Sequence, residues 1–257
     1  MRLTENWVAL KTIVNKEVTR FLRIWIQTIL PPGITVALYF LIFGKLIGSQ
    51  ISSIRGYNYM DFIAPGLIMM SIITNAYSNV VSSFFSIRFQ RSIEEMLVSP
   101  VSNYIIIIGY IFGGILRGLL VGLMVTVLAL FFTRLPIQHP FIMLTSAVLA
   151  ATLFSLAGFT NGLFAKTFDD ISIIPTFVLT PLTYLGGVFY SVSMLPPAWQ
   201  PIALFNPIVY MVNAFRYGLL GISDVHLGFA FFMISVAIII LFCLNLYCLN
   251  RGQGIQT

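Results

Sequence analysis

FQRSIEEMLVSPVSN, residues 89–103, decides how the whole chain is read. Uncharged apolar runs at 62–87 and 96–116 meet in it, each at or beyond the ~20 residues that cross ~30 Å of hydrocarbon. Between them stand Arg91 and the adjacent acids Glu94 and Glu95, with Arg88 on the border, before a turn at Ser99-Pro100. A charged segment this short between two spans is a handle held out on the wet side of a membrane.

Composition agrees. The 257 residues are 58% hydrophobic and only 9% charged, where a soluble domain carries roughly a quarter charged residues. Apolar runs of spanning length recur along the chain, so residues 1–257 read as one polytopic membrane domain. The net charge of +6 is not a nucleic-acid footprint, because its cations sit at span ends rather than in a cluster interleaved with aromatics. Cys243 and Cys248 are five apart, share no helix face, and read as small packing residues. The first apolar run follows more than twenty residues carrying several charges, which is not the form of a cleavable signal.

On the N-terminal side of the handle, a span over 61–86 carries Ser71, Asn75, Ser78, Ser82 and Ser86 at helical spacing, with Thr74 and Asn79 beside them. Polar side chains at membrane depth either tie helices together or line a wet cavity, and both readings stand. On the other side, a span over 104–132 carries Gly109/Gly113 and Gly114/Gly118/Gly122, four-residue steps that admit close helix approach. Arg117 lies near its middle, where a lone arginine costs roughly 3 kcal/mol on insertion scales. No span supplies an acid at that depth. Hydroxyls, amides, carbonyls or cavity water are its expected partners, making it a structural hub or a contact on a substrate path.

Further out, Trp7, Leu10, Val14, Val18, Phe21 and Trp25 form one stripe at ~100° per residue, with Lys16, Arg20 and Arg23 opposite. This predicts an amphipathic helix over 5–30, lying in the headgroup plane or packed on protein. Pro31-Pro32-Gly33 is expected to break the chain before a span over 32–47. After the handle come spans over 141–165 and 171–190. The second has Thr176, Thr180 and Thr183 on one side and a kink expected at Pro175 and Pro181. In 191–224, Pro196-Pro197, Pro201 and Asn206-Pro207 break apolar sequence into pieces too short to cross. Two short helices that dip in and return fit this pattern, with Asn206 capping a helix that starts at Pro207 and carries Arg216. A last span covers 226–249. The fold class is therefore all-α and polytopic, with six transmembrane helices. The excess of Lys and Arg in alternate segments puts both termini and the handle in the cytoplasm.

The chain has no G-x-x-x-x-G-K-[ST] phosphate loop. It offers no metal-ligand set in a span and no mid-span acid for proton or sodium coupling. A membrane protein with a polar stripe but no energy source of its own draws power from a partner. A partner-independent channel or secondary transporter is the alternative; a scaffold or an intramembrane enzyme has less to recommend it, since no reactive constellation is present.

QRSIEEMLVSPVS after the second span resembles a motif of the ABC-2 type integral membrane permeases of ABC transporters. So does PLTYLGGVFYSVSMLPPAWQ…FNPIVYMVNAFRYG before the last one, and KEVTRFLRIW…PPG is similar to the family's interfacial elbow and first span. The resemblance covers essentially the whole chain. It implies a multi-pass subunit of the bacterial inner membrane, a homodimer docked on two copies of a separate cytoplasmic ABC ATPase that binds ATP and Mg. The permease itself would bind no cofactor and catalyse nothing, and would export an amphipathic or lipid-like substrate. It further implies that Arg91, Ser92, Ile93, Glu94, Glu95, Met96, Leu97, Val98, Ser99 and Pro100 form a coupling helix, with Glu17 touching the same ATPase from the elbow. Ser71, Asn75, Ser78, Ser82, Arg117, Thr176, Thr180 and Thr183 would border the path or the dimer interface. Pro196, Pro197, Asn206, Pro207 and Arg216 would belong to an outer re-entrant gate.

Overall fold

The computed structural model describes residues 2–48, 53–90, 92–93 and 101–252, which are mostly helical, with no strand among them. Helix α1 (Arg2–Arg23) is followed by α2 (Trp25–Tyr39), which runs on through a π-helical segment, Phe40–Ile47. The helices α3 (Tyr59–Phe89) and α4 (Asn103–Ala129) flank the handle, and α5 (Pro140–Phe164) follows. α6 is built of three pieces: Asp170–Ile174, the π turn Pro175–Leu179, and Thr180–Tyr184. A short α7 (Trp199–Leu204), then α8 (Pro207–Leu220) and α9 (Leu227–Asn250), complete the order. Among the described residues, five helical stretches are long and apolar enough to cross a membrane: Trp25–Gly44, α3, α4, α5 and α9. The protein is a multi-pass, all-helical membrane protein.

α3 is the hub. α3 carries a row of polar side chains that lipid cannot satisfy, and it is covered along nearly its whole length, mostly by α4 and α5. The glycines of α4 allow this. Gly114 faces Val80, Gly118 faces Ala76 and Gly122 faces Ile72, leaving no room for a larger side chain.

The Gly109/Gly113 pair of α4 turns to α1, which packs on protein, one of the two expectations for it, but through a different face from the one expected. α1 meets α4 at successive levels: Asn6 donates to the Tyr104 hydroxyl at 3.2 Å, Ile13 packs on Gly109, and Glu17 packs on Gly113. Contacts in that order lay α1 alongside α4 and pointing the same way, not flat across its foot. Its packed face is Asn6, Ile13, Glu17 and Phe21, while Trp7 and Trp25 are exposed. The stripe is thus rotated from the one predicted, because a glycine groove accepts a carboxylate-bearing face and leaves the tryptophans outside. The chain also breaks earlier than expected, at Ile24; Pro31, Pro32 and Gly33 lie inside continuous α2. The two prolines leave the carbonyls of Gln27 and Thr28 without an i+4 donor, yet the helix continues through them.

The helix is interrupted by a π turn, Pro175–Leu179, where a kink is expected, and α6 stops at Tyr184 rather than near 190. Gly187 then takes a positive φ of 72° and turns the chain back. At ~1.5 Å per residue α6 is only about 22 Å long. The 191–224 region does contain two helices, α7 and α8, separated at Phe205 and Asn206.

The helix ends gather at two rims. At the handle end, Asn103 donates to Asn250 at 2.7 Å, and Arg88 donates to the carbonyls of Gly162 (3.1 Å) and Leu163 (2.6 Å) at the α5 terminus. Beside it, the Asp170 carboxylate accepts from the backbone N–H groups of Lys166 and Thr167, which hold it below the ordinary carboxylate range. At the opposite rim the Tyr57 hydroxyl donates to the Leu220 carbonyl at 2.7 Å, joining the α2–α3 connection to the end of α8.

Candidate functional site

The centre of the molecule is polar where α1, α3 and α4 meet. Glu17 is completely buried, 0% exposed, and its carboxylate is ringed by donors. Arg20, one turn on, pairs with it at 3.1 Å; Asn79 Nδ2 approaches at 3.4 Å; the Ser83 hydroxyl donates to the other oxygen. Arg20 also donates to the Asn79 carbonyl (3.0 Å) and to Asn79 Oδ1 (2.7 Å). Arg117 reaches the same Oδ1 at 3.5 Å. Glu17 was expected to contact an ATPase; that assignment is corrected, since a carboxylate sealed between helices cannot touch another protein. The acid missing from every span is therefore supplied by α1. Sequence inspection missed it because Glu17 was placed on a flat-lying helix. A usable signal was there: Asn6, Ile13, Glu17 and Arg20 recur at three- to seven-residue steps on one arc of the helix. Gly113 made room for such a guest, for a Cβ placed there would lie 2.6 Å from the Glu17 Cβ.

On the far side of Arg117 lies a cavity of about 310 Å³ between α2, α3 and α4. Ser71, Asn75, Ser78 and Arg117 all line it, together with Thr35 and Thr74, and Pro31, Pro32, Val36, Leu67 and Met70 supply apolar wall. The polar groups of α3 donate within their own helix: Ser71 to the Leu67 carbonyl (2.9 Å), Thr74 to Met70 (2.9 Å), Asn75 to Ser71 (3.0 Å). Their acceptor lone pairs remain for a guest. So four of the eight residues proposed for the path converge. Ser82 does not; it lies a turn beyond and donates to the Ser78 carbonyl at 2.7 Å. The threonines of α6 do not join the cavity either: Thr176 and Thr180 are exposed, and Thr183 is buried with its hydroxyl on helix carbonyls.

Of the handle itself, Arg91 and Glu94, Glu95, Met96, Leu97, Val98, Ser99 and Pro100 lie outside the described residues. Ser92 is exposed, and Ile93 is buried in the cluster formed by Phe84, Ile87, Ile106 and Tyr110. The handle is thus anchored into the bundle by its apolar side chain.

At the opposite rim Asn206 caps α8 as predicted: its Oδ1 accepts from the Ile208 N–H at 3.0 Å and its Nδ2 donates to the Leu182 carbonyl at 2.6 Å. Pro207 begins that helix, while Pro196 and Pro197 are exposed ahead of α7. Arg216 is 1% exposed, donates to the Gly187 carbonyl at 2.7 Å and stacks over Phe62 at 4.0 Å. Above it the Asp224 carboxylate pairs with Arg55 at 2.8 Å and accepts from the Ser191 hydroxyl (2.6 Å) and the Val192 N–H (2.9 Å). These bonds close the rim, and Arg55 and Asp224 were not singled out from sequence.

Comparison with known proteins is consistent along the chain. The chain is 57% identical over 251 residues to the inner membrane transport permease YadH of Escherichia coli K12, covering 98% of each. It is 26% identical to nodulation protein J of Rhizobium leguminosarum bv. viciae, over 81% of each chain. To nodulation protein J of Rhizobium meliloti it is 25% identical, over 87% of this chain and 84% of that one. Residues 8–220, which hold the buried Glu17 network, the cavity, the handle and α8, match the family model described as ABC-2 type transporter. The chain accordingly belongs to the ABC-2 type transporter family of membrane permeases.

Proposed function

We propose that this chain is the membrane-spanning subunit of an ATP-driven exporter, paired as a homodimer and worked by two copies of a separate ABC ATPase that binds ATP and Mg. The observation that carries the reading is 57% identity, across 98% of both chains, to a protein named an inner membrane transport permease. Residues 91–100 are the coupling segment, with Glu94 and Glu95 meeting basic groups on the ATPase. The handle joins α3 and α4, so a push on it moves the two helices that flank the cavity. The membrane is the bacterial inner membrane, with termini and handle in the cytoplasm, as the cation distribution favours. α6 makes the sixth crossing, shortened, and α7–α8 re-enter from the outside as a gate held by the Arg55–Asp224 rim. The substrate is amphipathic or lipid-like, in keeping with the mixed wall of the cavity.

Reconstitution in vesicles with the ATPase tests this. Nucleotide-dependent transport of a fluorescent phospholipid is expected, and the double change Glu94→Lys with Glu95→Lys is expected to abolish it at least tenfold while ATP hydrolysis persists. Uphill accumulation by the chain alone, without a hydrolysing partner, would refute the proposal.

A further inference from the structure

We infer that the cavity beside Arg117 is a head-group site for an amphiphile carrying an anionic phosphate-type group with hydroxyls next to it. This deepens the permease reading above and rests on it for the idea that the ligand is cargo. Three observations lead here. The first is charge. The buried network holds two guanidinium groups, Arg20 and Arg117, against one carboxylate, Glu17, so a positive charge is left over. Arg20 pairs directly with Glu17 at 3.1 Å, whereas among the described residues Arg117 has the 3.5 Å contact to Asn79, an amide oxygen that Arg20 already holds at 2.7 Å. The unneutralised cation is therefore Arg117. Among the described residues its Nε is buried without a partner, as is that of Arg20, but Arg20 has a carboxylate beside it and Arg117 has none in contact.

The second is where that cation faces. Arg117 lines the cavity, so the leftover charge borders space that can hold a ligand and not a packed core. An anion entering there meets a guanidinium in a low-dielectric setting, where a charge-assisted hydrogen bond is roughly twice as strong as a neutral one. The third is the opposing wall. Ser71, Thr74 and Asn75 donate to their own helix and offer acceptors to the cavity, which suit hydroxyls on the ligand and would repel a bare multiply charged anion. Apolar Pro31, Val36 and Met70 beside them fit the start of an acyl or prenyl chain. At about 310 Å³ the space suits a head group, leaving the tail to lie between helices.

The test uses the 257-residue chain in lipid nanodiscs, without nucleotide or ATPase, so its outcome is independent of whether transport is ATP-driven. Binding of fluorescent dioleoyl phosphatidylglycerol is compared with that of dioleoylglycerol, which has the same tails and no phosphate. The phosphate-bearing lipid is expected to bind at least tenfold tighter. Arg117→Gln is expected to remove that preference and Arg117→Lys to keep it within about threefold. Arg117→Gln leaves the Glu17–Arg20 pair intact, and Ser78→Leu, which fills the cavity from α3, provides an independent variant expected to lose both lipids. Competition by glycerol 3-phosphate would assign the site to a soluble anion with the same head chemistry; persistence of lipid binding against it would assign a lipid. Equal binding of the two lipids by wild-type chain, or an unchanged preference in Arg117→Gln, would overturn the inference. If binding behaves as expected and ATP-driven transport fails, the permease reading alone is wrong.

Discussion

A single carboxylate sets the electrostatics of the interior. Glu17 offsets Arg20, accepts from Asn79 and Ser83, and lies under Gly113, so its loss leaves two half-buried guanidinium groups with no carboxylate beside them. Breaking a buried pair by removing one partner costs about 3–5 kcal/mol. Because Arg20 is part-exposed, Glu17→Ala is expected to lower stability by less than that, read as a thermal-unfolding shift in detergent, with Glu17→Gln losing less still because it keeps the hydrogen-bond shape. A variant as stable as wild type would show that water or lipid phosphate neutralises the arginines. Residue by residue, the sequence was readable where a side chain's role is local. Asn206 and Pro207 announce a helix start by their own chemistry, and they make one. Glu17 was not readable in that way, because beyond Arg20 its partners Asn79 and Ser83 lie 62 and 66 residues away and only the fold brings them near.

Among the elements, α4 does the most with the least. Two glycine faces let it press α1 on one side and α3 on the other, and four-residue spacing in the sequence foretold both approaches. What spacing did not tell was which partner each face receives. Gly113→Leu is expected to push α1 away, since even a Cβ there meets the Glu17 Cβ at 2.6 Å. Paired cysteines at Asn6 and Ser102, whose Oδ1 and N–H are 3.4 Å apart, report this in a background lacking Cys243 and Cys248. Efficient disulfide formation is expected with glycine at 113 and its loss with leucine; unchanged cross-linking in both would deny that the groove holds α1. The early break at Ile24 belongs to the same lesson. Pro31-Pro32 is a breaker in water, but within packed helices the missing donors are tolerated, so the local signal misplaced the bend.

At the scale of the whole molecule, the helices divide into a covered centre and uncovered flanks. Ile34 and Leu38 of α2, and Ile174 and Phe177 of α6, are all exposed, while Tyr39 and Tyr184 bridge the two helices through hydroxyls 2.5 Å apart. In the proposed dimer this flank faces the second copy. Phe177→Glu, on a side chain 74% exposed, is expected to convert dimer to monomer in native mass spectra without unfolding the chain. An unchanged dimer would move the interface elsewhere. Composition was enough to establish a polytopic membrane protein, since nothing else accommodates so few charges. The count of crossings was harder to read, because α6 is broken by a π turn and ends at Tyr184.

Arg88 gives this arrangement a mechanical consequence. It sits one turn before the handle yet grips the final carbonyls of α5, at 2.6 and 3.1 Å. Force arriving at residues 91–100 therefore has a third route besides the two covalent ones, a rivet that drags a non-adjacent rod along. Under the proposed coupling, three helices would swing as one plank, with the torque spread over a wider arm than chain connectivity would suggest.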